Sequence, residues 1–256
     1  YSVYYLTRDE KQNAPFNDMK FNTFFKNEPE TFRYLNDQLA KSSEDFKKSL
    51  EKKNIDSHSQ IRDAKFFASR LKFFINNFLK KKNIDILDCG CGLGFIARSL
   101  KEISDFKVFY CDPSPSINNI HKILFSNENF FQSDIENLSS KTNKQFDIIY
   151  LREVYPFTRD DNFINQKKLI EILNENLKND GFLIFEQIRN KYDVFKNLKN
   201  FRFDYSIYYL LPSKFGLNKN LNLIFFKYKI FQFFLVLIYK ILSKNINHFI
   251  LIKKFK

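Results

Sequence analysis

Short apolar segments follow one another between residues 84 and 187, and a polar or helical stretch separates each from the next. Three of them, "IDIL", "FDIIYL" and "FLIF", are nearly continuous apolar runs and not alternating ones. Strands of a parallel sheet have this composition because helices cover both of their faces. The pattern therefore predicts βα units on a mostly parallel sheet, with strands at 84–88, 107–111, 130–132, 146–151 and 182–187.

Two helices are predicted around these strands. Between His58 and Lys80, apolar residues recur at every third or fourth position, which is typical of one face of an amphipathic helix. The segment "NQKKLIEILNENLK" predicts another helix before the last of the five strands. Because Gly181 follows it in "NDG", we expect this glycine to cap the C-terminus of that helix.

The segment "ILDCGCGLGF", residues 86–95, holds three of the five glycines in the chain. An apolar strand that ends at Asp88, followed by glycines and then a helix, lets the backbone approach a ligand at the carboxyl end of the strand. The glycines follow the spacing G-x-G-x-G, which differs from the G-x-G-x-x-G of dinucleotide sites. A carboxylate at position 88 repels a diphosphate and attracts an ammonium group. The segment therefore predicts a site for a cationic nucleoside.

Two further acids follow the next two predicted strands. Asp112 ends "KVFYCD", where a carboxylate can accept from both hydroxyl groups of a ribose, and Asp134 follows "NFFQS". The carboxyl ends of parallel strands meet at one edge of a sheet, so we expect Asp88, Asp112 and Asp134 to lie along that edge. Each acid taken alone also suits a helix N-cap or a turn.

Together these motifs resemble the class I S-adenosylmethionine-dependent methyltransferases. The resemblance covers roughly residues 84–188, through "ILDCGCGLG", "FYCDPS", "SDIENL", "FDIIYLREV" and "LKNDGFLIFEQ". It implies a Rossmann-like α/β fold with a seven-stranded, mostly parallel sheet, flanking helices and an antiparallel last strand. It also implies S-adenosylmethionine as the methyl donor and S-adenosylhomocysteine as the product.

The resemblance also implies roles for single residues. Asp88 and the amides around Gly90 and Gly92 would hold the methionine amino and carboxylate groups, Asp112 the ribose hydroxyls, and Asp134 the adenine amino group. Ile135 would pack near the base, and the backbone at Leu151 and Arg152 would close over the methionine end. The full set predicted to bind the methyl donor is Asp88, Cys89, Gly90, Gly92, Gly94, Asp112, Pro113, Ser114, Asp134, Ile135, Leu151 and Arg152.

Cys89 and Cys91 form a C-x-C pair inside the glycine segment. A zinc or redox site normally needs a second pair or a nearby histidine, and the sequence offers neither beside this segment. We therefore expect the two cysteines to pack the loop, and we predict no metal site.

The segment after the fourth predicted strand, "LREVYPFTR", should face the methyl acceptor. Nucleic-acid amino-methyltransferases carry Asn or Asp, two prolines and an aromatic residue at this point, and this chain does not. Glu153 aligns with an acid found in small-molecule members of the family, whereas Phe157 replaces their frequent histidine. If the reaction needs a general base, we expect Glu153, Tyr155 or His58 to serve.

The rest of the chain predicts three regions: a helical N-terminal lobe at 1–57, the core that binds S-adenosylmethionine at 58–200, and a C-terminal region at 201–256. We expect the lobe and residues 201–216 to act as lids over the acceptor, "NHFILIKKF" to be a closing strand, and residues 222–231 to form another. The apolar helix predicted at 229–244 is buried or in an interface, or it contacts a membrane surface through its flanking lysines. Its uninterrupted apolar run is too short to span a bilayer.

The net charge is +13, from 42 basic and 29 acidic residues, but the lysines are scattered and form no nucleic-acid footprint. We therefore expect a small-molecule acceptor, anionic if Arg152 and Arg159 contact it, and not a nucleic acid. With three cysteines the chain suits a reducing cytoplasm, with the inner membrane surface as an alternative. The composition and motif resemble capsule-modifying methyltransferases of AT-rich bacteria, which favours O-methylation of a glycan, nucleotide-linked or phosphoryl precursor. An RNA methyltransferase and a non-catalytic partner that binds the methyl donor are the alternatives.

Overall fold

A computed structural model gives the fold of the chain. The residues that it describes are 57–92, 94–113, 129–155, 157–158, 162–188, 197–201, 203–210, 228, 230–231, 233–234, 237 and 247–255. Of the predicted N-terminal lobe, 1–57, residues 1–56 lie outside the described residues, as do Ser114 and Arg159.

Within the described residues, seven strands form one sheet in the order β3-β2-β1-β4-β5-β7-β6. Strands β1 to β5 pair in parallel, and β7 lies antiparallel between β5 and β6. The predicted seven-stranded, mostly parallel sheet with an antiparallel last strand is therefore confirmed. The strands are β1 (Asp85–Cys89), β2 (Lys107–Asp112), β3 (Phe130–Gln132), β4 (Phe146–Arg152), β5 (Leu177–Ile188), β6 (Tyr205–Tyr209) and β7 (Asn247–Lys253).

Helices flank this sheet, as the sequence predicted. The described helices are α1 (Ser57–Phe73), α2 (Phe95–Ile103), α3 (Leu138–Lys141) and α4 (Phe163–Glu175). Helix α1 is the amphipathic helix predicted from His58 onward, and it continues into a π-helical turn, Phe74–Phe78, in which the Leu79 N–H donates to the Phe74 carbonyl. A single 3₁₀ turn, Leu198–Asn200, follows β5.

Each face of the sheet carries its own hydrophobic core. On one face, α1, the π-helical turn and α2 cover apolar residues of the central strands, among them Ile86, Ile148 and Ile184. On the other face, α3 and α4 cover their neighbours Leu87, Ile149 and Leu183. Burial on both faces explains why these strands are nearly continuous apolar runs in the sequence.

Gly181 does not cap a helix, and this prediction was wrong. Helix α4 ends at Glu175 and Asn176 caps it: the Asn176 N–H donates to the Leu173 carbonyl, and the side-chain amide donates to the Ile172 carbonyl at 2.8 Å. Gly181 lies within β5, where a Cβ atom would be 2.9 Å from the Lys178 carbonyl oxygen. The glycine therefore permits a close backbone approach inside the strand, and not a helix end.

The segment predicted as a lid at 201–216 is in part a strand. Residues Tyr205–Tyr209 form β6, the edge of the sheet, and pair with β7 along its whole length. Phe201 and Phe203, just before it, are buried in the core. The sequence analysis missed this strand because "YSIYY" is half-exposed and mixed in polarity, so that it has no apolar run to mark it as a strand. The role of residues 201–216 as a lid stays a prediction. The predicted closing strand, β7, is confirmed.

The apolar helix predicted at 229–244 is described at only a few positions. Ile230, Phe231, Phe233, Phe234 and Leu237 are helical, which for residues 230 and 231 replaces the strand predicted at 222–231. Their side chains are exposed by between 39% and 66%, so these five are not buried within the chain itself, and a place in an interface or at a membrane surface stays a prediction. None of the described helices combines the length and apolar character that crossing a membrane requires.

Candidate active site

The three predicted acids lie at one edge of the sheet, because β1, β2 and β3 are parallel and the acids lie in or just beyond their carboxyl ends. Asp88 and Asp112 are buried, each with 3% of its surface exposed, whereas Asp134 is exposed. Most buried carboxylates have charged or hydrogen-bonding partners, so the surroundings of Asp88 and Asp112 indicate what this edge can bind.

The glycine loop after β1 adopts the backbone conformation that its composition predicts. Gly90 and Gly92 have φ values of 76° and 54°, in the left-handed region that favours glycine. A Cβ atom at Gly90 would lie 2.8 Å from a methyl group of Val154, in the loop after β4. A Cβ atom at Gly92 would meet nothing within 4 Å. Gly90 thus lets two loops pack together, and Gly92 faces open space where a ligand can approach.

Hydrogen bonds within the protein hold this loop in place. The N–H groups of Gly90 and Cys91 both donate to the Cys111 carbonyl, at 2.9 and 3.0 Å, and the Gly92 N–H donates to the Asp112 carboxylate at 3.0 Å. These three N–H groups therefore already have acceptors. The predicted role of the amides around Gly90 and Gly92 in holding the methionine end stays a prediction, and other donors can serve a carboxylate beside them.

Burial raises the pKa of Asp88 from 3.8 to about 7. The nearby Arg152 guanidinium lowers that pKa, while the charges of Asp112 and Glu186 raise it. One carboxylate oxygen, Oδ2, is buried and has no hydrogen-bond partner among the residues that the structure describes. A buried acceptor without a partner is unfavourable by about 1–3 kcal/mol. A bound cation that donates a hydrogen bond to Asp88 would remove this cost.

Three residues that the sequence analysis did not single out complete this edge. Arg70, on α1, forms an ion pair with Glu186 of β5, and both are buried, with 4% and 3% of their surfaces exposed. The Tyr150 hydroxyl of β4 donates to the other Glu186 oxygen at 2.5 Å. Burial, and next the charge of Glu186, raise the pKa of Tyr150 well above 10, so the phenol stays protonated. A glutamate inside the apolar run "FLIFEQ" was the available signal.

The buried polar atoms without partners fit the amino-acid end of the predicted methyl donor. Within the described part of the chain, Asp88 Oδ2 lacks a hydrogen-bond donor, while Nε and Nη1 of Arg70 lack acceptors. A methionine end carries an ammonium group and a carboxylate, which are the two groups that these atoms would pair with. Asp112, on the adjacent strand, is the residue predicted to bind the ribose hydroxyls. The residues present therefore fit S-adenosylmethionine.

Asp134 stabilises a turn, which is the alternative that the sequence analysis gave for each acid taken alone. Its carboxylate accepts from the Asn137 N–H at 2.8 Å and from the Asn137 side-chain amide at 2.9 and 3.1 Å, just before α3. Ile135, beside it, is buried. An exposed carboxylate can still accept from a further group, so the adenine contact stays a prediction for Asp134, as packing on the base does for Ile135.

The loop after β4 holds the predicted acceptor-side residues. Leu151 is buried, and the Arg152 guanidinium lies 3.8 Å from the centre of the Phe67 ring of α1. Glu153 follows with a φ of 52°, a left-handed conformation that is unfavourable by about 1 kcal/mol for a residue with a side chain. Its N–H donates to the Glu186 carbonyl at 3.1 Å, which holds this conformation.

The three residues predicted as general bases have different surroundings. Glu153 and Tyr155 are half-buried in the loop after β4. Phe157 is fully buried, and its ring packs against that of Phe185. His58 lies in the first turn of α1, and its side chain is outside what the structure describes.

The cysteines pack the base of the glycine loop. Cys89 and Cys111 are cross-strand neighbours in β1 and β2, and both are buried. The pKa of the Cys89 thiol is raised well above 9, first by its hydrogen bond with Cys111 and then by burial, and burial also raises the pKa of Cys91. Both thiols are therefore protonated and unreactive at neutral pH. Gly94 is the N-cap residue of α2. Pro113 is half-buried and follows β2 directly.

This strand order, with a glycine loop after β1 and buried acids in β1 and β2, defines a class I methyltransferase. The chain belongs to the family described as "Methyltransferase domain", whose model matches residues 59–215, more than half of the chain. The family recognised in the sequence is thus confirmed, and with it S-adenosylmethionine as the methyl donor and S-adenosylhomocysteine as the product. A comparison with curated proteins found no match.

Solved structures with the same fold include the plantazolicin methyltransferase BpumL in complex with SAH, at 18% identity and a TM-score of 0.52, covering 90% of this chain and 99% of that one. BpumL with a monoazolic desmethylPZN analog and SAH aligns at 15% identity and a TM-score of 0.53, over 99% and 98% of the two chains. The plantazolicin methyltransferase BamL in complex with a triazolic desmethylPZN analog and SAH aligns at 16% identity and a TM-score of 0.51, over 99% of this chain and 98% of that one. At these identities the likeness concerns the fold.

Proposed function

We propose that this chain transfers the methyl group of S-adenosylmethionine to an oxygen atom of a small molecule, and that the acceptor is a bacterial glycan or capsule precursor. The observation that carries the transfer reaction is the set of buried, complementary atoms at the carboxyl edge: the lone Asp88 oxygen and two lone nitrogens of Arg70. Asp112 lies beside them. A sugar, nucleotide-linked or phosphoryl or phosphoramidate group is the acceptor class to test first.

In this proposal the residues bind the methyl donor as follows. Asp88 pairs with the ammonium group, Arg70 with the carboxylate and Asp112 with the ribose hydroxyls. Asp134 accepts from the adenine amino group. The remaining contacts come from Cys89, Gly90, Gly92, Gly94, Pro113, Ser114, Ile135, Leu151 and Arg152. S-adenosylmethionine supplies an electrophilic methyl group, and the protein supplies orientation and excludes water.

Binding of the product provides the first test. We expect purified protein to bind S-adenosylhomocysteine in isothermal titration calorimetry with a Kd in the micromolar range, and Asp112→Ala to lose this binding. Lys101→Ala is the control, because Lys101 lies on the C-terminal turn of α2, outside the residues proposed for binding. An intact wild-type protein without any S-adenosylhomocysteine binding would disprove the proposal.

Glu153 is the proposed general base for an oxygen acceptor. It follows β4 at the predicted acceptor side and is held in a strained conformation by the hydrogen bond from its N–H to Glu186. Strained residues that the surrounding structure fixes are often functional. We expect Glu153→Gln to lower kcat by about 100-fold or more with little change in S-adenosylhomocysteine affinity. If Tyr155→Phe or His58→Ala gives that loss and Glu153→Gln does not, the base is the other residue.

The acceptor class is tested by methyl transfer from labelled S-adenosylmethionine to three sets: nucleotide sugars and capsule oligosaccharides, total RNA, and a buffer control. Label in the first set supports the proposal. The net charge of +13 favours RNA as the second candidate, and label in RNA with a steep salt dependence would replace the proposal. Labelling of no set while S-adenosylhomocysteine binds would favour a non-catalytic partner that binds the methyl donor.

We place the enzyme in the cytoplasm, at the inner membrane surface. Ile230, Phe231, Phe233, Phe234 and Leu237 carry exposed apolar side chains on a helical segment, and lysines flank this segment in the sequence. Apolar side chains beside lysines suit an anionic bilayer surface. We expect co-sedimentation with vesicles containing phosphatidylglycerol, and its loss in Phe233→Ser/Phe234→Ser with S-adenosylhomocysteine binding unchanged. Equal recovery with vesicles of phosphatidylcholine alone, or none with either, would contradict this placement.

A further inference from the structure

We propose that Glu186 is a positioning residue for the methyl donor: it fixes the Arg70 guanidinium so that its remaining N–H groups face the donor carboxylate. This inference rests on the proposed function and adds a residue from β5 to the site. Arg70 and Glu186 are 116 positions apart in the chain, and the fold brings them together in an ion pair.

The register of the sheet places Glu186 in one row with the site. Asp88 of β1 is the cross-strand neighbour of Tyr150 in β4, and Arg152, two residues further along β4, is the neighbour of Glu186 in β5. Paired residues, and residues two apart in a strand, point to the same face of a sheet. Asp88, Tyr150, Arg152 and Glu186 therefore share the face that α1 covers, and α1 carries Arg70.

Glu186 uses both of its oxygens to hold the row together. One oxygen accepts from Nη2 of Arg70, and the other accepts from the Tyr150 hydroxyl. The rings of Phe66, Phe67 and Phe249 lie 4.9, 5.3 and 5.7 Å from the central carbon of the guanidinium. The guanidinium is thus fixed by one charged contact and by aromatic packing.

Stability alone does not explain this ion pair. A buried pair gains little over apolar side chains of similar volume unless the remaining hydrogen-bonding atoms find partners. Here Nε and Nη1 of Arg70 are buried and have no partner in the ranges that the structure describes. The pair therefore leaves N–H groups available on the same face as the lone Asp88 oxygen, which is the arrangement that a carboxylate next to an ammonium group requires.

Three ligands separate this role from a general effect on folding. S-adenosylhomocysteine has both charged groups, its decarboxylated analogue keeps only the ammonium group, and 5′-methylthioadenosine has neither. In Glu186→Gln we expect S-adenosylhomocysteine to bind about tenfold more weakly, with the other two ligands within about twofold of wild type. Arg70→Met should show the same selectivity with a larger loss. Glu175→Gln, an exposed acid at the end of α4, is the matched control.

The pH profile of binding is a second readout. Asp88 faces Arg152 from β4, Asp112 from β2, Glu186 from β5 and the Ala97 backbone from α2, and the charge of Glu186 raises its pKa. The decarboxylated analogue pairs with Asp88 alone. Its binding depends on pH, and in Glu186→Gln, where the charge of Glu186 is removed, we expect the midpoint of this dependence to move to lower pH. An unchanged midpoint would contradict the placement of the Glu186 charge beside Asp88.

The outcomes are distinct. Equal weakening of all three ligands in Glu186→Gln, or no weakening of any, would overturn the inference and leave the proposed function standing. Failure of the wild-type protein to bind any of the three would instead refute the proposed function. If Glu186→Gln does not fold, Glu186→Asp provides the test, because it keeps the charge and withdraws it from Arg70, and the same selective loss is expected.

Discussion

The two ends of β1 carry acids with opposite behaviour. Asp85, at the amino end, accepts from Lys178 at 2.9 Å and lies 3.1 Å from Lys144, and its neighbour Asp147 also accepts from Lys178. Burial acts to raise the pKa of Asp85, but the hydrogen bonds from Lys178 and Lys144 outweigh it and lower that pKa below 3.8. Asp88, three residues along, has its pKa raised to about 7.

The difference lies in what surrounds each acid. The cluster at the amino end is partly exposed and its acids have lysine partners, so it is a structural element that joins β1, β4 and β5. The cluster at the carboxyl end is buried and leaves polar atoms of Asp88 and Arg70 without partners among the described residues. Polar atoms are thus paired at the amino end of β1 and unpaired at the carboxyl end. Buried polar atoms without partners indicate the end that binds a ligand.

The largest expected effect follows from removing the charge of Asp88. We expect Asp88→Asn to weaken S-adenosylhomocysteine binding by about 100-fold or more, because a buried carboxylate facing an ammonium group contributes several kcal/mol. Isothermal titration calorimetry measures the loss, and Asp85→Asn is the control within the same strand. A loss of equal size in both variants would contradict the division of β1 into a structural and a binding end.

The same substitution should stabilise the protein when no ligand is bound. Because the folded pKa of Asp88 lies above its unfolded value, the folded state binds more protons between pH 3.8 and about 7, and stability falls as pH rises through that range. The full penalty is about 4 kcal/mol, reached above pH 7. Asp88→Asn should therefore unfold at higher denaturant concentration than wild type at pH 8, with a difference that shrinks towards pH 4. A constant difference across this range would be inconsistent with a raised pKa.

The sequence was sufficient for those features that depend on local patterns. Continuous apolar runs located β1 to β4 to within one residue. The glycine spacing, together with Asp88 and Asp112, indicated the carboxyl edge of the sheet as the candidate site from the sequence alone. These features are local because a strand end and a tight loop are set by neighbouring residues. Parallel pairing then brings successive strand ends together without further information.

Features that depend on distant partners were not predictable. Arg70 appears in the sequence as one basic residue on an amphipathic helix, and only the packing of α1 on the sheet brings it to Glu186. The edge strand β6 has no apolar run, since only one side of it is paired and its residues are half-exposed. Gly181 resembled a helix cap because helix and strand are separated by so few residues that spacing cannot tell the two roles apart.

Substitutions in the glycine loop should distinguish packing from ligand access. Gly90→Ala should lower the free energy of unfolding by about 2–3 kcal/mol, because its Cβ meets Val154 and its φ is positive. Gly92→Ala should lower it by only about 1 kcal/mol, since a Cβ there meets no protein atom within 4 Å. Chemical denaturation gives both values. Gly92→Ala should nevertheless weaken S-adenosylhomocysteine, and unchanged affinity in this variant would argue against a ligand at that position.

The smallest effect is expected at the structural end of β1. Lys144 and Lys178 are 31% and 42% exposed, so solvent screens their ion pairs, and Asp85→Asn should lower the free energy of unfolding by about 1 kcal/mol or less. Because the folded pKa of Asp85 lies below 3.8, this contribution is present at neutral pH and is lost as pH falls below about 4. Denaturation of wild type and Asp85→Asn in low and high salt measures it, and the difference should diminish in 1 M salt. A difference that persists in high salt would show that Asp85 stabilises β1 mainly through the hydrogen bonds around Asp147, to whose carboxylate its own N–H donates at 2.9 Å, and not through its charge.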